Sequence, residues 1–207
     1  MSDTGRTDRR RTDGRAVVLR AARSCMAERG YHGTSIRDIA ARAGMTSAAL
    51  YHHFASKQAV LAALMDGALA QASTMVDEAL AGAASDPPAR LQATVHAWAL
   101  FHAVHRDDAL IGSSELRSLE GAHLDHVVAT REGIERRLAD VVLAGVDAGD
   151  FRTADALLAA RAVMSMGSSI VAWFDPSGPL SPEEIAETYA GLALGAVQAE
   201  RVTATPT

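Results

Sequence analysis

The run from Thr34 to Lys57, TSIRDIAARAGMTSAALYHHFASK, constrains the fold more than any other stretch of the chain. Ser35-x-x-Asp38 has the spacing of a capping box, so Thr34 or Ser35 closes the free amides of a short helix running to Ala43. Ile36, Ile39, Ala40 and Ala43 recur at helical spacing, which turns one face of that helix toward a core. Gly44 can take the positive φ of a turn, and Thr46 or Ser47 can cap a second short helix ending near His53. Two short helices joined by a glycine-containing turn are the unit that lays its second helix in the major groove of DNA.

Charge supports a nucleic-acid partner once the chain is divided. The 207 residues carry a formal net charge of −5. Residues 1–57, however, hold 11 Lys+Arg against 5 Asp+Glu, a net of +6; residues 58–207 hold 9 against 20, a net of −11. The basic end coincides with the helix-turn-helix, the expected electrostatic footprint. Chemistry on substrates finds little to carry it: there is no nucleophile elbow, no phosphate-binding glycine loop and no zinc-protease histidine pair. No enzyme and no cofactor are expected.

The single cysteine, Cys25, excludes an internal disulfide, fits a reducing cytoplasm, and shares a helix with Leu19, Ala22 and Met26 as a buried core thiol. No apolar run follows the polar, Arg-rich N-terminus, so no signal peptide is expected. Ala156 to Phe174 is long and apolar but interrupted by Arg161, Ser165, Ser168 and Ser169; a helix in a protein interface explains it better than a membrane span.

The pattern along the chain is helical throughout and predicts an all-α protein of about nine helices. Residues 1–13, with Arg9-Arg10-Arg11, read as a disordered basic arm, 14–60 as the DNA-binding domain, 61–200 as an effector-binding and dimerisation domain, and 201–207 as a disordered tail. Helix 1 is placed from Gly14 to Arg29, and helix 4 from the Ser56 cap to about Ala84, before Asp86-Pro87-Pro88 breaks the chain. Further helices are expected over 88–106, 108–119, 123–149, 153–173 and 182–200. The last opens on Ser181-Pro182-Glu183-Glu184, a cap, a first-turn proline and two acids at the positive end of the helix dipole.

The segment LRAARSCMAERGYHGTSIRDIAARAGMTSAALYHHFASKQAVLAALM resembles the TetR family of bacterial transcriptional regulators across residues 15–65. The order is the family's: first helix, Gly30-Tyr31 turn, Thr/Ser cap, glycine turn, Leu-Tyr-x-His-Phe, and a lysine opening helix 4. The resemblance implies that Ser47, Ala48 and Tyr51 face base edges, while Thr34, Arg37, Thr46, His53 and Lys57 meet phosphates or, for Arg37, a base. Leu50 and Phe54 read as core. Ala49 stands where many members carry a hydroxyl, and Ala48 offers only a methyl group, so base reading rests on few side chains and on DNA shape.

The resemblance also implies a homodimer and a central effector cavity. Ala159, Val163, Met166, Ile170 and Trp173 form one apolar stripe; Ile185, Tyr189, Leu192 and Ala196 form another. Together they are expected to build a four-helix interface between two copies, with Val163, Met166, Ile170, Tyr189, Leu192 and Ala196 in contact. His96, Phe101, His102, Arg117, Met164 and Trp173 are the expected effector contacts. His102 with His105, and His123 with His126, share helix faces, but no metal is expected without cysteines. The stretches FHAVHRDDALIGSSELRSLE and WFDPSGPLSPEEIAETYAGLAL resemble TetR regulators that answer to acyl-CoA thioesters in lipid and steroid catabolism. Arg117 and Arg161 would then meet phosphate or carboxylate groups. The expected function is a cytoplasmic repressor released from operator DNA by a hydrophobic effector; the alternative is a drug- or antibiotic-sensing repressor of an efflux or resistance gene.

Overall fold

The computed structural model describes residues 4–198, with side chains over 13–197. The described residues form nine α-helices, one 3-10 turn and no strand: α1 (Thr4–Arg29), α2 (Ile36–Arg42), α3 (Ser47–Tyr51), α4 (Lys57–Gly82), α5 (Pro87–Val104), α6 (Arg106–Ser114), the 3-10 turn Leu116–Ser118, α7 (Gly121–Ala148), α8 (Ala156–Trp173) and α9 (Pro182–Gln198). The all-α expectation holds.

Helix α1 begins at Thr4, so most of the stretch expected to be a disordered arm is helical. Arginine is a good helix former and no proline interrupts residues 4–13; a continuous helix is the local preference once residues 14–29 nucleate it. The expected tail over 201–207 lies outside the described residues. Between α5 and α7, one expected helix is instead α6 followed by the 3-10 turn.

The chain divides into two compact units. The first joins residues up to Leu69 with Asp107–Ala129; the second joins Ala70–Arg106 with the residues from Thr130 onward. Contacts, rather than a single cut near residue 60, therefore define the units: α4 and α7 each contribute to both, and α6 belongs with the helix-turn-helix.

In the first unit, Val18, Ala22, Cys25 and Met26 of α1 pack with Ile39, Leu50, Phe54, Leu61 and Met65, and Ile111 and Leu119 close the same core. Cys25 is fully buried. Its turns are set by backbone chemistry. Gly30 (φ 71°) ends α1 and Gly44 (φ 66°) joins α2 to α3, both in the left-handed region that costs other residues about 1 kcal/mol or more.

In the second unit α5 packs on α8 and α9. Leu91 and Val95 meet Leu138, Val142, Ala160, Val163, Ala193 and Val197, while Ala99 and Ala103 meet Ile170, Phe174, Ile185 and Ala186. Helix α8 is long and apolar enough to cross a membrane by composition alone, as is α4. Here α8 buries Ala160, Val163, Gly167, Ile170 and Val171.

Candidate DNA-binding face and effector cavity

The helix-turn-helix is built from local hydrogen bonds. Ser35 Oγ accepts from the Asp38 amide (3.2 Å) and Asp38 Oδ2 accepts from the Ser35 amide (2.8 Å), the reciprocal pair of a capping box. The Ser35 bonds hold the Asp38 carboxyl below the usual carboxylate range, with Arg29 adding to the effect. Arg42 grips Glu28 through two bonds (2.6 and 2.8 Å), fastening α2 to α1. Thr46 caps α3 by accepting from the Ala49 amide (3.1 Å).

Leu50 and Phe54 are buried, 0% and 3% exposed, so α3 is held by one side and presents the other. On that outer side Ala48, Tyr51 and His52 are exposed, Tyr51 to 53%. Arg37 and Thr46 are also exposed, and Ser47 is half-buried.

Three residues expected to contact DNA are placed otherwise. Thr34 is 1% exposed, and its hydroxyl donates to the carbonyl of Gly30 (2.8 Å), with that of Cys25 at 3.0 Å. It ties the turn after α1 to the helix end, and its hydroxyl hydrogen is not free to meet a phosphate. Lys57 Nζ donates to the carbonyls of Tyr31 (2.8 Å) and Thr34 (2.9 Å) and lies 3.9 Å from the centre of the Tyr31 ring. Two carbonyl dipoles and a π-face satisfy the ammonium inside the protein. His53 turns its ring onto α1, where a β-carbon at Gly14 would stand 2.5 Å from Nε2, and its Nδ1 is buried without a hydrogen bond.

A small apolar cavity lies in the second unit. Counted with the solvent-open space at its mouth it measures about 230 Å³, and it is lined by Thr94, Val95 and Trp98 of α5, by Ile134 and Leu138 of α7, by Val163 and Met164 of α8, and by Val76. Its two polar side chains already donate within the chain. Thr94 Oγ1 donates to the carbonyl of Arg90 (2.8 Å), and Trp98 Nε1 donates to that of Met164 (3.0 Å).

Of the expected effector contacts, Met164 lines this cavity and the other five do not. Phe101 and His102 are buried beside Trp98, but the cavity wall is the i, i+1, i+4 set of α5, one turn earlier. His102 Nδ1 lies 2.8 Å from the carbonyl of Trp98, and burial lowers its pKa to about 4. His96 is half-buried away from the lining, Trp173 is half-exposed and stacks on Tyr189, and Arg117 is an exposed residue of the first unit. Arg161 pairs with Glu135 (2.9 and 3.0 Å) rather than standing free. Among the described residues no three metal-ligating side chains converge.

The expected dimer stripes divide as well. Val163 and Ile170 are 1% and 0% exposed, because small Gly167 between them lets α8 approach α5 within one chain. Leu192 and Ala196 are exposed, Met166 and Tyr189 half-buried. The outward apolar surface is carried by Leu157, Leu158 and Trp173 on α8 and Leu192 on α9, all about half exposed.

Comparison with known proteins places these features. The family model of bacterial regulatory proteins, tetR family, matches residues 18–64, and that of the tetracyclin repressor-like C-terminal domain matches residues 84–197. The chain is 32% identical over 196 residues to the HTH-type transcriptional repressor KstR2 of Mycobacterium tuberculosis, covering 91% of this chain and 94% of that protein. Among solved structures it resembles a tetR-family regulatory protein from Rhodococcus RHA1 (TM-score 0.84, 31% identity, 90% of this chain and 98% of that one). It also resembles AibR in complex with isovaleryl coenzyme A and operator DNA (TM-score 0.80, 27% identity, 86% and 97%).

Proposed function

The chain belongs to the TetR family of bacterial transcriptional regulators, and from that premise we propose that it is a homodimeric, cytoplasmic repressor released from operator DNA by an acyl-CoA thioester. On this reading α3 enters the major groove with Ser47, Ala48 and Tyr51 toward the bases, while Arg37 and Thr46 meet the backbone. Two copies join through the outward faces of α8 and α9.

The observation that carries the effector class is the cavity's chemistry. The two polar side chains lining it, Thr94 and Trp98, already donate their hydrogens within the chain, so a ligand acceptor placed there would lose water and find no free side-chain donor, a cost of about 1–3 kcal/mol. The room inside it is that of about one water molecule, far below the roughly 300–1,000 Å³ of clefts that enclose drug-sized ligands. A short acyl chain, with the thioester and nucleotide outside, is the ligand that needs the least opening of this apolar space. It enters as α5, α7 and α8 part, and a larger apolar group parts them further. Either way, the ligand's preference for one arrangement of these helices is what weakens operator binding. The AibR complex with isovaleryl coenzyme A and the likeness to KstR2 support the class.

The test is a fluorescence-anisotropy titration of a duplex from the DNA upstream of the chain's own gene, repeated with isovaleryl-CoA, a long-chain acyl-CoA, the free acids, CoA alone and a panel of planar antibiotics. Release by a thioester, with CoA and the acids inert, is expected. Release by antibiotics alone would favour a drug-sensing repressor.

A further inference from the structure

We infer that His52, the residue after the recognition helix proper, reads a purine base edge in the operator. The inference rests on the DNA-binding reading above and adds a specificity-determining residue to it.

The argument starts from backbone geometry. His52 caps α3 with φ −69° and ψ −22°, still helical values, so its side chain continues the helical series begun within α3. Positions 48, 51 and 52 then form one face at i, i+3 and i+4, and all three are exposed. The opposite face, Leu50 and Phe54, is buried in the core of the first unit. His53, one residue on, is rotated off the exposed face and its ring abuts α1 at Gly14. The two adjacent histidines therefore have opposite roles: one seats the helix and the other faces outward.

Chemistry narrows the role of His52. Ala48 ends in a methyl group, so Tyr51 and His52 are the two long polar side chains of this face. Two neighbouring polar ends are spent inside the chain, Ser35 with Asp38 and Arg42 with Glu28. The imidazole of His52 makes no hydrogen bond and no ring contact among the described residues; structure within the chain gives it no task. An imidazole N–H is a short-range donor, and purine N7 is the acceptor that both adenine and guanine present in the major groove. The methyl group of Ala48, one turn earlier, leaves the ring room to approach a base edge.

The experiment selects duplexes from a random-sequence pool with the wild-type protein. It then measures wild type, His52→Ala and Tyr51→Ala on the selected duplex, on a random duplex, and on versions carrying a 7-deazapurine at one position at a time. Expected is an about tenfold loss for His52→Ala on the selected duplex, with no change on random DNA and an unchanged melting temperature. At one purine position 7-deaza substitution should weaken wild type by the same factor and leave His52→Ala unaffected. Equal loss on both duplexes would make His52 a phosphate contact and overturn the inference, as would identical 7-deaza profiles for the two proteins. A wild-type protein that enriches no sequence would overturn the DNA-binding reading itself and this inference with it.

Discussion

The indole of Trp98 lies directly on the backbone of Gly167: a β-carbon at that glycine would stand 2.9 Å from Nε1 and closer still to Cδ1. The contact lets α8 approach α5, aims Trp98 Nε1 at the carbonyl of Met164 (3.0 Å), and leaves the other side of the ring as a wall of the cavity. Gly167→Ala should push the indole off its seat and cost about 2 kcal/mol, or ~4–8 °C in melting temperature for a chain of this size. Tryptophan fluorescence should change with it. An unchanged melting curve would mean that the ring shifts without cost.

Arg23 and Asp108 tie α1 to α6 within the first unit, Nε to Oδ1 at 2.6 Å, with Asp108 7% exposed and Arg23 about 40%. Arg23→Met strands a buried carboxylate. The full penalty for breaking a buried pair is about 3–5 kcal/mol, and the exposure of the arginine reduces it to ~1–3 kcal/mol. Asp108→Asn should cost less, since an amide is cheaper to bury than an unpaired charge. Denaturant midpoints of the two variants, at constant slope, check the order.

Much of this was legible in the sequence, and the exceptions share a cause. Ser35 with Asp38 and Ser181 with Glu184 are capping boxes readable from spacing alone, and both form. Gly44, Leu50 and Phe54 likewise follow from local pattern. Lys57 did not: its ammonium meets carbonyls 26 and 23 residues away, and no local rule tells a lysine aimed at phosphate from one that fills a turn. The stripe Val163, Met166, Ile170 was readable as apolar, but whether α5 or a second copy covers it depends on Gly167 and Trp98 meeting across 69 positions. The cavity wall was missed because Val95, Ile134 and Leu138 carry no chemical mark that separates lining from core.

Lys57→Met should therefore lower the melting temperature by loosening the Tyr31–Thr34 turn. It should leave the slope of log affinity against log salt unchanged, because no phosphate contact is lost. A slope reduced by about 1 would restore the lysine to the DNA backbone.

His102 gives the second unit a pH dependence. Its pKa of about 4 in the folded chain lies below the ordinary 6.5, so the unfolded chain binds the proton first and acid favours unfolding. Stability should be fully present above about pH 6.5 and fall toward pH 4, by at most about 3 kcal/mol from this group. His102→Phe should flatten that part of the curve; the same slope in both proteins would assign it elsewhere.

Leu192, about half exposed on α9, faces away from the chain's own core. Leu192→Glu should drive sedimentation toward the monomer and weaken operator binding, while leaving the helical signal intact. A dimer of undiminished affinity would place the interface on another surface.

The most direct test of the central claim is to fill the cavity and ask whether the DNA switch fails. Ile134→Phe adds a ring to the lining, and isovaleryl-CoA titrated against the operator complex should release wild type but not the variant, although both bind the duplex with similar affinity. Release of the variant at the wild-type thioester concentration would show that the effector acts from somewhere other than this cavity.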